Sequence, residues 1–350
     1  NLVNDGLNLL KTFDDLPKVN DAWNIDETYR SKPLKLFSVR NVAIIEEGPV
    51  YCKIRISGQS VKSSYDLFYN MYHELPFIGC ELVMDWHEEH VFLRTEFETS
   101  IQANSIFHGI QHGFIERPTI PANSRQKAKY EFHGHDWISL SGNDLGLSIL
   151  VRARYGFDVD GSRFGISLLR SPSYPSTNER YPEMEYPDEL MKFTDQGRNY
   201  ITWAIYPHKG SWRENKIWID AMQFNNAPVF LCINEYFLLP EILHDAIQVE
   251  PDNVHLMVIK APYKDDSEID VQEKTNDELC IILRVVELSG KDTSFQIELL
   301  PQMRIQTIDE TDLLEFSIRE YSDWRDNIVL GKLQHNEIKT FKIKFMKKNE

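Results

Sequence analysis

Apolar and polar residues alternate at every second position over much of this chain. Val91, Leu93, Thr95 and Phe97 fall on one side of a period-two pattern, and Phe92, Arg94 and Glu96 fall on the other. That spacing predicts a strand with one apolar face. The run VAIIEEGPVYCKIRISG (42–58) reads as two strands joined by a Glu-Glu-Gly-Pro turn, and 63–101 continues the texture. LGLSILV (145–151), RFGISLLR (163–170) and NYITWAIYPH (199–208) repeat it, and strands resume at 255–263, 279–288, 293–300 and 337–345. No stretch sustains a long amphipathic helical period. The best helix is SWRENKIWIDAMQFN (211–225), with Trp212, Ile219 and Met222 near one stripe and Ser211 as its N-cap.

Two segments break the pattern. Residues 174–199, rich in Pro, Glu and Tyr, predict a long surface loop with a short helix around 188–193, and the acidic run 265–278 predicts a second loop. The texture shifts near residue 240. The expected organisation is a large antiparallel β domain over 1–240 and a smaller β-sandwich over 241–350.

Composition narrows the class. Of 350 residues 42% are hydrophobic, enough for a substantial core, and the formal net charge is −16. No basic stripe suits nucleic acid, and an anionic surface disfavours anionic lipid. The longest apolar run, VFLCINEYFLLP (229–240), is too short to span a bilayer. Cys52, Cys80, Cys232 and Cys280 form no CxxC pair, and no N-x-S/T acceptor occurs. Both facts lean toward an intracellular, cytoplasmic setting. A chain opening on Asn1 inside strand-like sequence reads as a fragment or a processed chain, with any targeting segment upstream.

Common chemical motifs are missing. There is no GxGxxG, no GxxxxGK[ST] and no GxSxG. His108 and His112 would lie roughly 13 Å apart on a strand, and His133 with His135 could share a strand face beside Asp136. A metal pair and ordinary strand-end histidines both remain open readings, with no third ligand at a convincing spacing. Carboxylates are too numerous for a glycosidase pair to be chosen by count. Trp23, Trp86, Trp137, Trp203 and Trp212 lie in or near strands, where they are either core or a stacking surface for sugars. The stretch ARYGFDVDGSRFGISLLRSPSYP (153–175) reads as a hairpin carrying Arg154, Tyr155, Asp158 and Arg170, more polar and aromatic groups than a plain hairpin needs.

Several segments, in order, resemble the C-terminal β portion of glycoside hydrolase family 38, the α-mannosidases. FDDLPKVNDAWNID (13–26) is similar to that family's FDD-P…DAWD-I-D stretch, and HGFIERPT (112–119) to its G-x-I-x-R-P-T segment. YGFDVDG through LLRSPSYP (155–175) resembles its YG-[YF]-DV-x-G…LSLLR-x-P-x-YP pattern. YITWAIYPHKGSW (200–212), ETDLLE (310–315) and NEIKTFKI (336–343) resemble later family segments. The resemblance covers essentially the whole chain. It implies a mainly β fold, a large galactose-mutarotase-like antiparallel super-sandwich followed by a smaller β-sandwich.

It also implies a retaining α-mannosidase acting on α-mannoside oligosaccharides. Its nucleophile and its divalent metal, usually zinc held by two His and two Asp, would belong to an N-terminal catalytic domain that this chain lacks. No catalytic or metal-binding residue is then expected here. Asp21, Trp23, Tyr155, Asp158 and Arg170 are the candidates for bordering the substrate pocket, each with a structural alternative. Two other readings stay open: a free-standing carbohydrate-binding or mutarotase-like module using His112 with Glu116, and an assembly surface for a homo-oligomer.

Overall fold

The computed structural model describes residues 3–17, 21–142, 144–173, 193–227, 247–263, 280–300 and 303–346. The chain falls into two compact units. Residues 1–110 and 115–227 form the first, and residues 111–114 and 228–350 form the second. The boundary expected near residue 240, the short helix expected at 188–193, the apolar run 229–240 and the acidic loop 265–278 lie largely or wholly outside the described residues.

In chain order, the first unit runs through β1 (Val3–Asp14), β2 (Pro33–Leu34), β3 (Ser38–Glu47), β4 (Tyr51–Gln59), β5 (Ser64–Tyr72), β6 (Ile78–Trp86) and β7 (Val91–Thr99). β8 (Ser105–Ile110), β9 (Gly113–Pro118), β10 (Phe132–His133) and β11 (His135–Ser141) follow. β12 (Leu145–Arg152), β13 (Gly156–Asp160), β14 (Arg163–Arg170) and β15 (Gly197–Lys209) complete it. They make a nine-stranded sheet, β3-β4-β5-β6-β15-β12-β11-β8-β9, and a six-stranded sheet, β10-β13-β14-β7-β1-β2.

The core draws on both sheets. Leu67, Leu82, Met84, Leu147, Ile149 and Trp203 come from the larger sheet, and Leu93, Phe97, Phe164 and Ile166 from the smaller. Burying each such side chain stabilises the fold by about 1.5–3 kcal/mol. Asn8 is a polar residue enclosed beside them. Asn8 accepts hydrogen bonds from Trp203 Nε1 and Thr95 Oγ1, both at 2.8 Å, and donates to Tyr69 Oη at 3.0 Å. Buried and partnered on both ends of its amide, it costs the core little.

The expected two-sandwich β fold is what forms. The second unit pairs a four-stranded with a five-stranded antiparallel sheet. Its strands are β16 (Ile247–Glu250), β17 (Val254–Lys260), β18 (Cys280–Glu287), β19 (Thr293–Leu299), β20 (Ile305–Thr311), β21 (Ser317–Glu320), β22 (Trp324–Arg325), β23 (Ile328–Leu333) and β24 (Ile338–Phe345). Leu283, Phe295, Ile297, Ile308 and Phe341 fill the space between them.

The predicted helix at 211–225 begins six residues late. Ser211 and Glu214 cap each other reciprocally, with the Ser211 amide and hydroxyl donating to Glu214 at 2.6 and 2.8 Å. The chain then enters the left-handed region at Lys216 (φ 49°), so the helix proper is Ile217–Asn225. Its buried stripe is Ile217, Trp218 and Ala221 rather than Ile219 and Met222.

Candidate functional site

β7 is buried on both faces. Leu93, Thr95 and Phe97 point into the core, as the alternation predicts. Arg94 and Glu96, on the other side, are 0% and 2% exposed. A charged strand face can be enclosed only when every charge finds a partner, and here the partners come from far along the chain. Arg94 donates to Asp158 on β13, to Glu131, and to Ser167 Oγ at 2.9 Å. Asp158 also receives Arg30, and Arg163 Nη2 at 2.8 Å. Glu96 meets Arg30 at 3.1 Å and Lys11 at 2.9 Å.

The aromatic rings of Tyr29 and Phe92 flank Arg94, 5.7 and 5.0 Å from its guanidinium carbon. Tyr29 hydroxyl donates to Glu131 at 2.6 Å. Gly165, opposite Asp158 in the β13–β14 hairpin, permits the close approach, because a Cβ there would lie 2.9 Å from Asp158 Oδ1 and 3.1 Å from Arg94.

The electrostatics follow from burial set against these bonds. Burial acts to raise the Glu96 carboxyl, but Lys11, Arg163 and Arg30 outweigh it and hold the pKa below its ordinary value. Arg30 is lowered, first by burial and then by its neighbours Arg163 and Arg94. Burial also pushes the Tyr29 hydroxyl up.

A second knot sits at the end of β14. Arg170 donates to Asp15 through Nε (2.6 Å) and Nη2 (2.9 Å), and to the carbonyls of Asp21 (2.9 Å) and Asn24 (2.7 Å). It thereby ties the 21–24 turn to the six-stranded sheet. Asp21 accepts from the Ser173 amide at 2.8 Å, from the Ser173 hydroxyl, and from the Ala22 amide at 2.9 Å. Burial acts to raise its carboxyl, but these bonds prevail and lower it. Asp15, fully enclosed, is pushed up by burial, and Arg170 only partly offsets this.

The five candidate residues therefore divide. Asp21, Trp23 and Arg170 meet in the 21–24 knot, where Trp23 is 76% exposed. Asp158 lies in the separate ion-pair cluster, 1% exposed, and its partners are guanidinium groups rather than turn amides. Tyr155 stands apart on the β12–β13 connection, half exposed, with its ring 5.0 Å from that of His135. Trp86, Trp137, Trp203 and Trp212 are core residues. Arg30, Arg94, Glu96, Glu131 and Asp15 were not singled out in the sequence. The one local hint was Gly165, a glycine inside a strand pattern, which often marks close approach of another group.

His133 and His135 lie near enough to His108 for their charges to act on it, but no metal-binding group forms among the described residues. His108 is buried, and its Nε2 accepts from Arg117 Nε at 2.9 Å. Burial and the adjacent Arg117 lower its pKa to about 4, so the ring is neutral at pH 7. His112 lies in the two-residue turn between β8 and β9, and Glu116 lies on β9; both are exposed. Among the described residues no three His, Cys, Asp or Glu side chains gather as a metal-binding group.

Two family descriptions match the chain in order. "Glycosyl hydrolases family 38 C-terminal domain" covers residues 2–178, and "Glycosyl hydrolases family 38 C-terminal beta sandwich domain" covers residues 253–341. The chain belongs to glycosyl hydrolase family 38. Among its relatives is alpha-mannosidase G of Dictyostelium discoideum, 29% identical over 346 residues, which span 96% of this chain and 29% of that protein. Alpha-mannosidase 2C1 of Mus musculus is 29% identical over 308 residues, 87% of this chain and 27% of its own length. The family 38 chain thus spans under a third of these relatives. An alpha-mannosidase structure from Enterococcus faecalis shares its fold, with a TM-score of 0.70 at 13% identity over 97% of this chain and 38% of that one.

Proposed function

We propose that this chain is the C-terminal β portion of a retaining, metal-dependent α-mannosidase that releases terminal α-linked mannose from oligosaccharides. In this reading the chain braces and borders an active centre that it does not contain. A carboxylate that attacks the anomeric carbon and a second that protonates the leaving oxygen would belong to an N-terminal catalytic domain of the same enzyme. This reading assigns the zinc or other divalent ion to that domain too. The observation that carries the reading is the ordered match of both family 38 C-terminal domains to a chain less than a third the length of relatives named α-mannosidases.

Of the five candidate border residues, Trp23 best fits a direct role. Its indole is exposed on a turn that Arg170 and Asp21 hold rigid, the arrangement a sugar-stacking platform needs. Tyr155 is the other exposed ring, while Asp158, Asp21 and Arg170 act by positioning.

The test is hydrolysis of p-nitrophenyl α-mannoside by residues 1–350 alone and after co-expression with the N-terminal catalytic portion. Negligible turnover alone and activity in the complex are expected, with Trp23→Ala raising KM more than it lowers kcat. Ordinary turnover by the isolated chain, or no gain from the catalytic portion, would overturn the reading.

A further inference from the structure

A cavity of about 240 Å³ opens beside the ion-pair cluster, between the Tyr29–Ser31 turn, the end of β9 and the β13–β14 hairpin. Arg30, Arg117, Lys127, Lys129 and Arg163 line it, in a chain whose formal net charge is −16. Cations concentrated in a concavity of an acidic protein need an explanation beyond solubility.

The charges can be counted. In the adjoining cluster Lys11, Arg30, Arg94 and Arg163 meet Glu96, Glu98, Asp158 and Glu131, four of each sign, so that cluster is neutral. What remains at the cavity is Arg117, Lys127 and Lys129 against Asp160, a surplus of two positive charges. Among the described residues none of these three cations has a carboxylate at ion-pair distance.

One guanidinium is held ready. Arg117 commits Nε to His108 at 2.9 Å and lies over the Phe132 ring at 4.8 Å, which fixes its plane and leaves its two terminal nitrogens without a hydrogen-bond partner among the described residues. Arg163 also lines the cavity, but its Nη2 is bonded to Asp158 at 2.8 Å and its Nη1 stands 3.6 Å from Glu96, so it is already committed to the ion-pair cluster.

We propose that this cavity binds a phosphoryl dianion, either free or carried on a sugar. A phosphomonoester carries about −1.5 to −2 charge at pH 7 and presents three acceptor oxygens, which matches a surplus of two charges and forked guanidinium donors. A carboxylate would leave one cation uncompensated. The volume is below the roughly 300–1,000 Å³ of drug-sized sites, which favours a small anion. Tyr130, half-buried in the lining, supplies an apolar surface for an attached sugar ring.

Isothermal titration calorimetry of residues 1–350 at constant ionic strength tests this, with inorganic phosphate, glucose 6-phosphate and glucose as titrants. Saturable one-site binding of phosphate is expected. The exposed pair K127E/K129E should weaken it by about tenfold or more, because two attractive charges become repulsive. R125E is the control. Arg125 is exposed on the same short helix (Ser124–Lys127) and does not line the cavity, so an effect below about twofold is expected there. Equal affinities for the two phosphates identify the free anion as ligand, and tenfold tighter glucose 6-phosphate identifies the sugar ester. The proposal fails if phosphate binding does not saturate, if R125E loses as much as K127E/K129E, or if glucose binds as tightly as glucose 6-phosphate.

Discussion

Asp158→Asn keeps the shape of the most enclosed carboxylate in the ion-pair cluster and removes its charge. Asp158 is 1% exposed and accepts from Arg94, Arg30 and Arg163. Removing one member of a buried, hydrogen-bonded charge group costs about 3–5 kcal/mol, because the partner charges stay out of water uncompensated. The three partners share that cost unequally. Arg94 has no exposed side-chain surface, though it keeps Glu131 and Ser167. Arg30 and Arg163 are 29% and 17% exposed and keep Glu96, so water and that carboxylate absorb much of their share.

The lower end, about 3 kcal/mol, is therefore expected. For a unit of this size it corresponds to a fall in Tm of roughly 6–12 °C. Tryptophan fluorescence during thermal and urea unfolding reads the first unit, since of the seven tryptophans only Trp324 belongs to the second. Combining Asp158→Asn with Arg163→Gln should lose less than the sum of the two singles, by roughly 1 kcal/mol. A loss below about 1 kcal/mol for Asp158→Asn would refute the view that the enclosed charges hold this face together.

Two further outcomes concern pH. His108 has a folded pKa of about 4 against an ordinary 6.5. Between those values the unfolded chain takes up a proton that the folded site refuses, so the first unit should lose up to about 3 kcal/mol on acidification from pH 6.5 to 4. His108→Gln should flatten that part of the urea-unfolding profile, and an unchanged slope would rule the explanation out. In the second unit, Glu287 accepts from the backbone amides of Ser289, Gly290, Lys291 and Asn336 and from Asn253 Nδ2. Burial acts to raise its carboxyl, but these bonds prevail and hold it below its ordinary value of 4.5. Glu287→Gln should thus destabilise the second unit by about 2 kcal/mol at pH 7. The difference should be full above pH 4.5 and vanish as pH falls through the lowered value, as read by hydrogen exchange over residues 280–299. A difference independent of pH would contradict this.

The chain's alternation determined its strands. The 42–58 hairpin, the run over 63–101 and the strands at 145–151, 163–170 and 199–208 all form where period two places them, because the direction of a strand side chain depends only on its own backbone. The resemblance carried by YGFDVDG and LLRSPSYP likewise reached the family from residues alone. The helix start was misplaced because a single left-handed residue, Lys216, overrode a sound capping pair. The candidate site was the least legible part. Alternation marks Phe92, Arg94 and Glu96 as a second face but not whether that face meets water. Tertiary structure decided it by laying Tyr29, Arg30 and Glu131 over β7 and bringing Asp158, 64 residues from Arg94, into hydrogen-bonding contact. The direction a side chain takes is local, whereas its burial and its ionic partners depend on segments that meet only when the sheet has closed.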